Sequence, residues 1–173
     1  MTGGGTTYTL RRPTVQDAPG FAALHARVWR TTYRGLMSDD VVDGLSAEAF
    51  RPMWESIGAA YDEDRVPSDG RQFWVATAGE TPVGFLLWGP PREEDPPAPR
   101  QLWALNVHPD HHGGGLAQRL LDETFGPGPA YLWVARGNDR AIAFYRRNGF
   151  EPDGSEAEDG QGGVVEIRMV RAS

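Results

Sequence analysis

A run of glycines set between a strand pattern and a helix pattern constrains this chain more than any other feature. Residues 102–149 read as strand, glycine loop, helix, strand, helix. The loop is Val107-His108-Pro109-Asp110-His111-His112-Gly113-Gly114-Gly115-Leu116-Ala117. Glycine lets the backbone approach a ligand closely and adopt conformations a side chain forbids. The helix that follows turns its free N–H groups and positive dipole end toward the same place. That combination suits a phosphate group. Two other phosphate motifs are excluded. No Gly-Lys-Ser/Thr follows the loop, and all 17 basic residues are arginine. The Gly-x-Gly-x-x-Gly spacing of a dinucleotide fingerprint is also absent. Taken alone, a glycine loop fits a flexible turn equally well.

The surrounding residues narrow the choice. Val107-His108-Pro109 followed by His112-Gly113-Gly114-Gly115-Leu116-Ala117 resembles motif A of the GNAT superfamily, the acetyl-CoA-dependent N-acetyltransferases. In that motif a Val-x-Pro ends the fourth strand and Gln/Arg-x-x-Gly-x-Gly/Ala wraps the CoA pyrophosphate. His112 stands where the family has Gln or Arg; Gly115 and Ala117 fit. Further on, Asn138, Ala141, Phe144-Tyr145 and Gly149-Phe150 resemble motif B in the right order. The resemblance is strong over 71–150, moderate over 8–35 and poor elsewhere. It implies an α/β (mixed α+β) fold: a single domain over 8–173 with a mixed, mostly antiparallel sheet of six or seven strands. The sheet is splayed between the fourth and fifth strands, with helices on both faces.

Composition bounds the alternatives. At 173 residues the chain is large enough for one domain with a real core. No apolar run reaches membrane-spanning length, and Met1–Thr7 reads as a loose tail without signal-peptide features. The absence of cysteine excludes a disulfide framework and a cysteine nucleophile, and fits a cytoplasmic setting. A net charge of −7 argues against nucleic-acid binding and is compatible with a cationic partner or with plain solubility. Arginine without lysine, with much Gly, Ala and Pro, points to a GC-rich bacterial genome. A homodimer is compatible with everything in the sequence.

Taken in order, Tyr8–Arg12 reads as a strand, and Asp17 as the cap of a helix running to about Arg30. A break follows at 31–36. Ser46 caps a second helix, which Pro52 should bend or begin. Residues 71–78 and 82–88 form a hairpin. Residues 90–99 read as a solvated acidic, proline-rich loop. Gln101–Val107 and Tyr131–Ala135 are strands, with helices at 116–124 and 138–148. Residues 153–163 read as an acidic, glycine-rich loop, and 164–170 as a last strand.

The resemblance also implies chemistry. Backbone N–H groups of His112, Gly113, Gly114, Gly115, Leu116 and Ala117 would hold the CoA pyrophosphate. The fourth strand would leave the fifth after Leu105, freeing backbone groups of Leu105, Asn106 and Val107 for the pantetheine arm. The Val107 N–H would polarise the thioester carbonyl. Asn138 would touch the cofactor arm or simply cap its helix. Tyr145 would be the general acid, since a phenol near pKa 10 can protonate a thiolate whose conjugate acid lies near 8.5. Trp29 and Tyr33, in a Trp-x-x-x-Tyr-x-Gly run, together with Trp103 and Trp133, would line the acceptor channel or belong to the core. The places where relatives carry a catalytic glutamate hold Gln101 and Trp133, neither of which accepts a proton. A water chain, a carboxylate among Glu93–Asp95, or one from 151–159 remains open as the base. His108, His111 and His112 read as loop histidines beside phosphate, not as a metal site.

The expectation is therefore acetyl transfer from acetyl-CoA to a primary amine by direct attack in a ternary complex. A small molecule and a peptide N-terminus both remain open as acceptor. The competing expectation is an acyl-CoA-binding module without efficient turnover, in which the missing base is a real loss.

Overall fold

The computed structural model describes residues 6–158 and 163–173. Seven strands form one sheet in the order β1-β2-β3-β4-β5-β7-β6. They are β1 (Tyr8–Arg11), β2 (Gln72–Ala78), β3 (Thr81–Gly89), β4 (Gln101–Val107), β5 (Ala130–Ala135), β6 (Glu151–Glu158) and β7 (Val165–Arg171). Every pairing is antiparallel except β4 with β5. The expected mixed sheet is present, with helices on both faces. Of the tail expected over 1–7, residues 1–5 lie outside the described residues.

One face carries α1 (Ala18–Tyr33) and α3 (Ala47–Asp62). Their buried side chains Phe21, Leu24, Val28, Trp54 and Ile57 pack on Phe73, Val75 and Phe85 of the sheet. The i, i+3, i+7 spacing of Phe21, Leu24 and Val28 puts all three on one side of α1. α3 approaches the chain before α1 so closely that Gly58 leaves no room for a side chain. A Cβ there would sit 2.3 Å from the backbone of Thr14. The opposite face carries α4 (Leu116–Leu120), continued by one wider π turn over Leu121–Phe125, and α5 (Asp139–Arg147). Leu116, Leu120, Leu121, Phe125 and Tyr145 from these helices cover Leu86, Leu102, Leu132 and Met169 of the sheet.

Several local readings need correction. Asp17 does not cap α1. Its carboxylate accepts from the Thr14 N–H at 2.7 Å and takes both Arg11 guanidinium nitrogens at 2.7 and 2.8 Å, closing a short 3-10 turn instead. The break expected at 31–36 begins later, because α1 continues to Tyr33. A short helix, α2 (Asp39–Gly44), was not anticipated. Six residues show no periodicity. Arg34 holds it by ion pairs to Asp39 and Asp43, and Val42 is buried against Met37, Ala135 and Val164. Ser46 does cap α3, accepting from the Ala49 N–H at 3.2 Å. That helix runs through Pro52, and its apolar face is buried on both sides of the proline.

Residues 153–158 are not loop but part of β6, and 159–162 lie outside the described residues. The segment EPDGSEAE is rich in residues that disfavour strands. Pairing with β7 imposes the conformation, with the register broken between Pro152 and Glu156. Its exposed carboxylates make it an outer edge that resists further pairing.

Candidate active site

β4 and β5 run side by side for only two residue pairs, Gln101–Tyr131 and Leu102–Leu132. They then diverge, three residues earlier than the expected point at Leu105. The divergence coincides with a bulge. Leu87 faces Ala104 while Trp88 faces Leu102, which leaves Trp103 as an extra residue on β4.

The β3–β4 register shows which backbone groups face the gap. The His108 N–H donates to the Val83 carbonyl at 2.8 Å, so Val107–Gly84 is a non-hydrogen-bonded pair. By alternation Asn106–Phe85 is a hydrogen-bonded pair and Leu105–Leu86 is not. The N–H and C=O of Leu105 and Val107 therefore point into the gap. Those of Asn106 are held by Phe85, so Asn106 does not offer the backbone groups expected of it.

A cavity of about 360 Å³ opens beside this gap. Leu105 and Val107 form its strand side. His112, Gly113, Gly115, Leu116 and Ala117 form its loop end, and Ala141, Phe144 and Tyr145 of α5 form its far wall. Gly115, at φ +79°, takes the left-handed conformation from which α4 starts. Three expected residues lie off the wall: Asn106, turned toward β3 as above, Gly114 and Asn138. Gly114 sits under the Tyr8 hydroxyl, where a Cβ would come within 3.3 Å. The Asn138 Oδ1 accepts from the Ala141 N–H at 3.2 Å, so this side chain caps α5.

His112 occupies the place of the family's Gln or Arg and has a role of its own. Its Nε2–H donates to the Val107 carbonyl at 2.9 Å, tying the glycine loop to the end of β4. Partial burial lowers its pKa, against the opposing pull of the Val107 hydrogen bond and with the positive charge of Arg140 adding to the lowering. His111 Nδ1 lies 3.0 Å from the Tyr8 hydroxyl, which fixes the other side of the loop. Among the described residues, no group of three His, Asp or Glu side chains is arranged to hold a metal ion.

Tyr145 is 8 % exposed and reaches the cavity from α5. Burial, with a smaller contribution from nearby Tyr33, pushes its phenol well above the usual range, so it stays protonated. Tyr33 belongs to α1, on the other face of the sheet.

Three residues that sequence reasoning missed also line the cavity: Gln118, Arg140 and Arg147. The arginines are seven apart on α5 and so share a face, a spacing legible in the sequence. Gln118 exchanges two hydrogen bonds with Asn148, at 2.8 and 3.2 Å, clasping α4 to α5 across the cavity. Nothing in the sequence pairs those two residues.

None of the four aromatic residues expected at the acceptor channel lines this cavity. Trp29 packs between His25, Phe50 and Tyr33. The Trp103 ring lies under the Arg92 guanidinium at 3.8 Å, with Arg71 at 5.5 Å. The Trp133 Nε1–H donates to Glu93, which also accepts from Arg168 at 3.2 Å. The loop at 90–99 is therefore not simply solvated. Glu93 is docked on the sheet, and Ala98 is buried. Gln101 is also occupied structurally, its Oε1 accepting from the Arg92 N–H and the Tyr131 hydroxyl, both at 3.1 Å.

A parted parallel strand pair, a glycine loop at a helix start and a cavity joining them define a fold that holds an extended, phosphate-bearing cofactor across a sheet. Comparison with known proteins agrees. Residues 69–152 match the acetyltransferase (GNAT) domain family. A probable N-acetyltransferase of Mycobacterium tuberculosis is 28 % identical over 141 residues, covering 80 % of this chain and 76 % of that one. A mycothiol acetyltransferase of Salinispora arenicola is 30 % identical over 160 residues, covering 83 % of this chain but half of that one. The PaiA N-acetyltransferase of Thermoplasma acidophilum, solved with coenzyme A, superposes with a TM-score of 0.74 at 19 % identity, covering 96 % of this chain and 99 % of that one. By sequence over residues 69–152 and by fold over nearly its whole length, this chain is similar to the acetyl-CoA-dependent N-acetyltransferases of the GNAT superfamily.

Proposed function

We propose that this protein transfers the acetyl group of acetyl-CoA to a primary amine by direct attack within a ternary complex. The observation that carries the proposal is the early parting of β4 and β5, which leaves backbone groups of Leu105 and Val107 facing a cavity that runs from the glycine loop to Tyr145.

The loop N–H groups of 112–117 would take the pyrophosphate, with Arg140 and Arg147 adding charge complementarity that the rest of a −7 chain lacks. The pantetheine arm would lie along β4 as an added strand, paired with Leu105 and Val107. The Val107 N–H would then meet the thioester oxygen, and His112 would hold that peptide in place through its carbonyl. Once the amine attacks, the carbonyl π electrons move to oxygen. Collapse breaks the C–S bond, and Tyr145 protonates the departing thiolate. The raised phenol pKa makes this donation harder in isolation. The thiolate, however, forms in the same water-poor cleft, where its own proton affinity also rises.

The acceptor would approach from the α1/α2 face, past Trp29 and Tyr33, opposite the cofactor. No helix among the described residues is long and apolar enough to cross a membrane. Calorimetric titration of acetyl-CoA, followed by CoA release with an amine panel, tests the proposal. One-site micromolar binding with amine-dependent release is expected. Binding without release would support a non-catalytic acyl-CoA module instead. Absence of binding would remove the cofactor site.

A further inference from the structure

The acceptor amine arrives as an ammonium ion and must lose a proton, yet Gln101 and Trp133 stand where the family resemblance implies a carboxylate. We propose that Glu93, from the loop between β3 and β4, takes that proton. The inference rests on the acetyl-transfer reading above.

Glu93 is held by two donors. The Trp133 Nε1–H donates to Oε1 and the Arg168 guanidinium to Oε2, the latter at 3.2 Å. Trp133 is the first residue of β5 beyond its last pair with β4, so it stands where the two strands part. The side chain at the expected carboxylate position thus presents a carboxylate brought in from another part of the chain. The loop is fixed behind it by the Arg92 N–H on Gln101 and by Arg92 stacked on Trp103. Arg168 lies over the Trp133 ring at 5.6 Å, and its Nε donates to Asp153 at 2.7 Å. Two carboxylates therefore share Arg168, and the group keeps one uncompensated negative charge, which favours an approaching ammonium. The Glu93 side chain is 27 % exposed, so a water molecule can carry the proton to it.

Other carboxylates are less suitably held. Glu94 and Asp95 are exposed. Asp153 and Glu156 lie on β6, which β7 separates from β5 and the gap, and Glu156 is paired with Arg136. Glu166, opposite Ala135, shares the Trp133 face two residues further along and is the competing candidate.

The protons balance. Glu93 takes the first from the ammonium, and the freed nitrogen pair forms the C–N bond. As the C–S bond breaks, Tyr145 protonates sulfur and regains its proton from the nitrogen, leaving an amide. Glu93 releases its proton to solvent.

The test measures CoA release by the full chain and by E93Q, E93D and E166Q, with an alkylamine and with an arylamine that is already neutral at pH 7. Thermal melting and acetyl-CoA calorimetry serve as fold controls. For E93Q, kcat/KM with the alkylamine falls about 10²-fold at pH 7 and recovers as pH rises toward the amine pKa. Its arylamine rate and acetyl-CoA affinity stay within a few-fold of the parent, and E93D keeps part of the activity. Equal losses with both amines would mark Glu93 as structural and overturn the proposal. So would an unchanged E93Q, or a loss confined to E166Q. If the parent protein binds acetyl-CoA but acetylates no amine, the acetyl-transfer reading falls, and this assignment with it.

Discussion

His25 gives the sharpest physical prediction, because the mechanism does not use it. It is 7 % exposed, stacked on Phe50 at 3.8 Å and surrounded by Trp29, Trp54 and Phe85. Neither ring nitrogen has a hydrogen-bond partner among the described residues. Desolvation pushes its pKa from 6.5 down to about 3. The unfolded chain therefore binds a proton between those values that the folded chain refuses. The stability His25 allows is fully present above pH 6.5 and is lost as pH falls toward 3. At about 1.4 kcal/mol per unit, the loss between pH 7 and pH 5 is about 2 kcal/mol, with a ceiling near 5 kcal/mol below pH 3. In His25→Phe the stacked ring remains and the titration disappears. Any packing offset from the larger ring is constant with pH and cancels in the slope. Urea unfolding of both proteins at pH 7, 6 and 5 measures the difference. Equal slopes of stability against pH would refute the argument, since they would mean that water or a polar partner reaches the ring in the folded state.

Other perturbations read the site and the scaffold. Tyr145→Phe should lower kcat by about 10²-fold while leaving acetyl-CoA affinity within about twofold, by steady-state kinetics and calorimetry. Replacing Arg140 and Arg147 together with alanine should weaken acetyl-CoA binding about tenfold or more and flatten its salt dependence, because both charges sit on the cavity wall. Gly58→Ala should destabilise the fold by about 2 kcal/mol or more, read as a lowered urea midpoint, since the added methyl would meet rigid Thr14 backbone. Activity per folded molecule should stay unchanged in that variant.

Much of the cofactor side was readable locally. The glycine loop, the Asn138 cap and the strand patterns at 101–107 and 131–135 depend on residues close in sequence. The acceptor side was not readable in the same way. Glu93 looked like one of three solvated acids, because its partners Trp133 and Arg168 lie 40 and 75 residues away. β6 looked like loop because its own residues disfavour a strand and only β7 makes it one. α2 escaped because Arg34 and the packing around Val42 hold it rather than any internal pattern.

The sequence by itself determined the glycine loop and helix start proposed to hold a phosphate-bearing cofactor, since both are made by neighbours along the chain. The tertiary structure alone decided that the sheet parts after Leu102, that the Asn106 backbone pairs with Phe85 while the Leu105 and Val107 groups turn away from β3, and that the loop carboxylate of Glu93 docks on Trp133 and Arg168. Register, divergence and long-range ion pairs are properties of which strands meet, and that choice minimises exposed apolar surface and unpaired polar groups over the whole chain at once.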